Sequence, residues 1–311
     1  IKLEDCKSYW ETYFRPNIGY MVIIGDITLK EAKKKINKTF KKWKKKSVPK
    51  VNYKKTSLPN SSRVLLVNKP SAVQSLIWIG NVINLTPGHP DIEPLRIANK
   101  ILGGGMSGRL FINIREDKGY TYGAYSNFGV DRLNSTFSSS AKVRNEVTDS
   151  AIVEFLNEYE KITTEQITEL ELKAAKSSLS GSFGRSLESP SSAASFALNI
   201  ARYNLDSEYY NNYLNRIQNV TVEDVLRVAK KYISTDKTTI AIVGKAQDIS
   251  SKLEAFGKIE YFDAFAQPTE EPEFLFTPEN TTLKDVLSNY YEVLGGLEKL
   301  KKLRAIYQES S

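Results

Sequence analysis

Histidine is all but missing from this 311-residue chain, which contains only His89. One imidazole cannot build a histidine-based zinc site, and a catalytic dyad is not expected of it. His89 lies in Thr86-Pro-Gly-His-Pro-Asp91, which reads as a turn running into a helix capped by Asp91. Cysteine is as scarce. Cys6 alone rules out an intrachain disulfide, and its place on an apolar helical face predicts a buried structural thiol. No apolar run approaches membrane-spanning length, and no signal-peptide pattern stands at the start. The first residue is Ile1 rather than Met, which predicts a fragment or a processed piece. The missing leader therefore says little about location.

Acidic residues number 36 against 44 lysines and arginines, for a net charge of +8. The excess is local. Residues 30–50 hold eleven lysines and one glutamate, a charge of +10, so the rest of the chain sums to −2. Within that segment Ala32, Ile36, Phe40 and Trp43 recur at helical spacing and form one apolar stripe, with lysines on the other faces. A solvated helix face is the expectation; nucleic acid and anionic surfaces are not the expected partners.

Helical and extended periodicities alternate along the chain. Residues 3–14 read as a helix, 15–17 as its terminating turn and 19–24 as a buried strand closing at Gly25-Asp26. After the lysine-rich helix, residues 47–62 have the composition of a linker. Strands are predicted at 63–67, 73–80, 121–128, 135–143, 238–243 and 257–262. Helices are predicted at 91–102, 145–162 and 164–187, and then, beyond Ser189-Pro190, up to about 233. Residues 281–304 are amphipathic and are interrupted by Gly295-Gly296.

An internal repeat organises these elements. Leu3-Glu-Asp-Cys6 matches Val222-Glu-Asp-Val225, Tyr13 matches Tyr232, and Met21-Val-Ile-Ile-Gly25 matches Ile240-Ala-Ile-Val-Gly244, all at an offset of 219 residues. That offset is domain-sized. Residues 1–46 are thus expected to be the tail of a preceding homologous domain, 47–62 a linker, 63–265 a second copy, and 266–311 a linker with a helical extension or the start of another domain. Paired strands with helices between and after them predict an α+β fold, a mostly antiparallel sheet with helices packed on one face.

Residues 101–125 read Ile-Leu-Gly-Gly-Gly-Met-Ser-Gly-Arg-Leu-Phe-Ile-Asn-Ile-Arg-Glu-Asp-Lys-Gly-Tyr-Thr-Tyr-Gly-Ala-Tyr. A helix rather than a strand precedes the glycines, so a tight helix-to-helix corner is expected over a phosphate cradle. A short helix over 107–117 then stops at Gly119, and a strand follows. Arg115 and Tyr122, seven residues apart, could share a rim there and donate hydrogen bonds to a carbonyl or a developing oxyanion. By spacing alone, an arginine in a surface ion pair and a tyrosine in the core is the plainer reading.

Leu102-Gly-Gly-Gly-Met-Ser-Gly-Arg-Leu-Phe111, Ile114-Arg-Glu-Asp-Lys-Gly-Tyr-Thr-Tyr-Gly-Ala-Tyr125 and Val73-Gln-Ser-Leu-Ile-Trp-Ile-Gly80 resemble the second domain of pitrilysin/insulinase-type metallopeptidases, relatives of the mitochondrial processing peptidases. The resemblance spans about residues 1–265 and fits the repeat, because these enzymes are built from tandem homologous domains. It implies that Arg115 holds a substrate carbonyl and that Tyr122 donates to the oxyanion, on a peptide engaged as an added strand. It also implies that zinc and the His-x-x-Glu-His motif belong to a missing or partner domain, since a chain with one histidine cannot carry that motif. The chain alone is then expected to hold no cofactor and to be inactive. A catalytically silent structural or interaction module of the same fold is the alternative. Residues 286–304, with Leu294-Gly-Gly296, resemble the opening of a lipoprotein-sorting-like domain, which implies a bacterial cell envelope.

Overall fold

Alternation of apolar and polar side chains decides which face of each strand is buried. The computed structural model describes residues 1–53, 56–274 and 281–304, so parts of the expected linker and of the C-terminal extension lie outside the described residues. The strands are β1 (Arg63–Asn68), β2 (Gln74–Ile83), β3 (Thr121–Phe128), β4 (Ser135–Arg144), β5 (Thr239–Gly244), β6 (Ile259–Phe262) and β7 (Pro268–Thr269). They form one sheet in the order β3-β4-β2-β5-β1-β6-β7. Only β1 runs parallel to its neighbours β5 and β6, and the other four pairings are antiparallel. The register lines up Leu66, Ile242, Ile77 and Ala141 in one cross-sheet row and Val64, Ile240, Ile79 and Ser139 in the next. Both rows are buried.

Helices cover that face. Ala151, Ile152, Phe155 and Tyr159 of α4 (Thr148–Thr164) are buried, and the Tyr159 hydroxyl donates to Ser139 Oγ on β4 at 2.8 Å. α3 (Ile92–Leu102), α8 (Val222–Tyr232) and α9 (Ala246–Leu253) complete the layer, while α5 (Glu169–Ser186), α6 (Pro190–Tyr203) and α7 (Tyr213–Gln218) extend it. The expected α+β arrangement is therefore the one found. α5 starts at 169 rather than 164, because Thr164 ends α4 and a Thr168–Glu171 capping box begins the next helix.

Asp91 occupies the N-cap position of α3 but does not cap it. Its backbone is right-handed helical (φ −77°, ψ −4°), not the extended geometry that aims a cap side chain at the first turn. The buried carboxylate instead accepts from Arg227 Nη1 (2.7 Å), Lys231 Nζ (2.8 Å) and the Tyr232 hydroxyl (2.8 Å), clamping α3 to α8. Burial pushes its pKa up, but the hydrogen bonds from Lys231, Arg227 and Tyr232 outweigh this and hold it well below the ordinary aspartate range. A carboxyl more acidic in the folded state than in the unfolded one contributes stability above the unfolded value, about 3.9, and loses it as the pH falls below. Asp91→Asn should cost about 2 kcal/mol at neutral pH and flatten the acid limb of a denaturation series between about pH 5 and pH 2; an unchanged limb would contradict the clamp.

The first 46 residues depart from expectation at two points. α1 (Leu3–Tyr13) and α2 (Leu29–Phe40) form, but 19–24 is not a strand, and Tyr20 to Ile24 stand exposed outside the sheet. Cys6 is exposed rather than buried. The segments at the 219-residue offset are packed differently. α8, the repeat counterpart of α1, packs on α3 and α4, and β5, the counterpart of 20–25, lies between β2 and β1. Among the described residues, 1–46 have neither such helices against α1 nor such strands beside 19–24. What holds it is local: Trp10 stacks on Phe14 at 4.2 Å, and Trp43 Nε1 donates to Phe14 O at 3.0 Å.

The chain divides into two compact units, Ile1–Glu270 and Glu271–Ser311. In the second, Gly295 and Gly296 (φ +96° and +93°) separate α10 (Leu283–Val293) from α11 (Leu297–Leu300).

Candidate functional site

The glycine run forms a corner, not a cradle. The main chain passes so close to β3 that a Cβ on Gly103 would lie 2.5 Å from Ser126 N, and Ser126 N–H donates to Gly103 O at 3.0 Å. After the corner the chain winds into a π-helix, Phe111–Asp117, shorter than the helix expected from 107. The wide winding is visible in Lys118 N–H donating to Asn113 O, five residues back, at 3.0 Å. Asn113 is tied from its other end to α4, its Nδ2 donating to Glu154 (3.0 Å) and Glu158 (2.9 Å). Gly119, at φ +64°, turns the chain through the left-handed region and into β3.

That turn is short enough to put both predicted residues on one cavity. Arg115, Glu116, Gly119, Tyr120, Thr121 and Tyr122 line a space of about 530 Å³ together with Gln74 and Arg144. The Arg115 guanidinium pairs with Glu116 and lies 4.8 Å from the centroid of the Phe111 ring. Phe111 in turn packs 5.8 Å from Tyr125, centroid to centroid, and Tyr125 covers Gly123. A bulge sets Tyr122: Thr121 pairs with Val143 and Ala124 with Ala141, so two residues of β3 face one of β4. The Thr121 hydroxyl holds the bulge through Lys142 O at 2.7 Å and Gly123 N–H at 3.1 Å. Tyr122 is 89% exposed and is not a core residue.

A guanidinium and a phenol on one rim can donate to two acceptors on an extended ligand. β3 is also an edge strand of the sheet, where a peptide can add. Among the described residues, no three His, Cys, Asp or Glu side chains converge as a metal site, so the residues present do not fit zinc. His89 remains in its turn, its Nδ1 accepting from Asp91 N–H at 3.0 Å. Sequence reasoning missed Arg144 and Gln74, which reach the cavity through the pairing of β4 with β3 and β2. It also missed the bulge, for which a glycine inside a strand was the available signal.

Residues 1–179 match the family model described as the peptidase M16 inactive domain. The chain belongs to the peptidase M16 family. It is 24% identical over 245 residues to the non-peptidase homolog YmxG of Helicobacter pylori, covering 78% of this chain and 56% of that protein. It is 25% identical over 246 residues to the zinc protease PqqE of the same organism, covering 76% and 54%. The chain thus spans about half the length of these relatives. Among solved structures, a peptidase M16 inactive domain from Pseudomonas fluorescens superposes with a TM-score of 0.68 at 25% identity, covering 78% of this chain and 58% of that one. This M16 chain is the inactive half of a zinc-protease-type fold. No helix among the described residues is long and apolar enough to cross a membrane.

Proposed function

We propose that this M16 chain is the non-metal half of a zinc-dependent endopeptidase, binding peptide substrate and completing the active site of a His-x-x-Glu-His domain that the chain does not contain. The observation that carries the reading is the cavity shared by Arg115, late in the π-helix, and Tyr122, at the start of an edge strand. The peptide adds along β3 and Arg115 donates to a backbone carbonyl, fixing the register of the substrate. Tyr122 donates its phenolic hydrogen to the oxygen of the scissile carbonyl as that oxygen gains charge. The other half supplies the metal and the attacking water.

The domain division follows the repeat. Residues 1–46 complete a preceding homologous domain, 47–62 link it to the copy at 63–265, and 266–311 form a linker and extension. Two things support this: α1 and α8 are both 11 residues long at the 219-residue offset, and Met21 is 53% exposed where its counterpart Ile240 is 1% exposed. A cell-envelope location rests only on the resemblance of residues 286–304. The second reading, a silent interaction module, draws on the H. pylori relative named a non-peptidase homolog.

Reconstitution tests the proposal. The chain alone should cleave no internally quenched peptide, whereas with its His-x-x-Glu-His half it should show chelator-sensitive cleavage, and Cys6 should become protected from a thiol reagent as its counterpart Val225 is buried. No cleavage by the assembled halves would defeat the peptidase reading; an equally reactive Cys6 would defeat the domain division.

A further inference from the structure

Arg144, the last residue of β4, brings to the cavity a charge that the proposed chemistry does not use. Arg115 is paired with Glu116, so those two charges cancel within the lining. Arg144 has no comparable counterion. Its ion pair among the described residues is with Glu146, 3.8 Å from Nε, beyond hydrogen-bond distance and with a side chain 79% exposed. One of its five N–H donors is used on Gly119 O, at 3.0 Å, in the turn between Arg115 and Tyr122. The lining of the cavity therefore carries one net positive charge, and it sits on Arg144.

The strand end that carries Arg144 is fixed from behind. Asn145 is buried; its Nδ2 donates to Ala72 O at 2.8 Å and its Oδ1 accepts from Ser75 Oγ at 3.0 Å. Thr148 Oγ1 lies 2.9 Å from the same Ser75 Oγ, and both hydroxyls are fully buried. A satisfied buried network of this kind holds one geometry, and it places Arg144 on a rigid element rather than a loop. Gln74, its partner across β2, lines the same cavity with a neutral amide.

We propose that Arg144 is a substrate-binding residue that takes a carboxylate of the peptide, either an aspartate or glutamate side chain near the cleaved bond or the free C-terminus. A guanidinium presents paired donors that match the two oxygens of a carboxylate, a fit that an ammonium lacks. The assignment rests on reading the cavity as the substrate site.

The test uses the protein assembled with its zinc-bearing half and internally quenched peptides in matched pairs. One series exchanges aspartate for asparagine at positions flanking the cleaved bond, and the other exchanges a C-terminal carboxylate for an amide, so the two sources are told apart. The carboxylate member of one series should be cleaved about tenfold better in kcat/KM, mainly through KM. R144Q should bring that ratio close to one, and R144K should keep part of it. If Arg144 serves only to hold Gly119, its loss lowers all peptides alike and leaves the ratio intact. That outcome, or a wild-type ratio near one in both series, overturns the proposal. Absence of any cleavage counts against the peptidase reading alone; the same pairs are then compared by fluorescence anisotropy, and the ratio of affinities decides for or against Arg144.

Discussion

Tyr122→Phe is expected to lower the turnover of the assembled peptidase about a hundredfold, the scale of losing one oxyanion donor. The substitution removes the hydroxyl and keeps the ring. Because Tyr122 is 89% exposed on the bulge of β3, its hydroxyl has little part in holding the fold, and the denaturation midpoint should stay where it is. The loss should fall on kcat and leave KM nearly alone, since a donor aimed at the oxyanion acts on the transition state more than on the bound peptide. A raised KM with kcat preserved would make Tyr122 a binding residue; unchanged turnover would remove it from the chemistry and favour the silent-module reading.

What the sequence disclosed about this site depended on how local the determinants were. Residues 121–128 form β3 with the bounds that alternation predicted, because a left-handed Gly119 starts the strand and a turn ends it within a few residues. That Arg115 and Tyr122 line one cavity was likewise accessible, since seven residues and one turn connect them. Arg144 was not: it reaches the cavity because β4 pairs with β2 and β3 at once, a relation between segments about 20 to 70 residues apart that no spacing encodes. Cys6 and 19–24 failed for the opposite reason. Their apolar patterns describe burial, on a helix face for Cys6 and in a strand for 19–24, and among the described residues both stand exposed. An apolar period states that a surface is to be covered without stating by what.

Gly103→Ala is expected to destabilise the chain by about 2–4 kcal/mol, although it adds only a methyl group and lies 12 residues before Arg115. The new Cβ would meet Ser126 N at 2.5 Å, Ser126 Oγ at 2.7 Å and Leu110 Cδ1 at 2.8 Å. The nearest of these is backbone, so relief requires the corner to move away from β3 and to stretch the bond from Ser126 N–H to Gly103 O. The two segments pushed apart are the ones that carry the site: the π-helix with Arg115 follows the corner, and Tyr122 precedes Ser126 on the same strand. Turnover should therefore fall along with the urea midpoint. Gly184→Ala is the control that separates this clash from any general effect of losing a glycine. Gly184 lies within α5 with nothing within 4 Å of a Cβ built on it, so alanine there should stabilise the helix by about 0.5–1 kcal/mol and leave turnover unchanged. Equal midpoints for the two variants would mean that the corner yields to the methyl group, and that the contact between Gly103 and Ser126 does not set the distance between Arg115 and Tyr122.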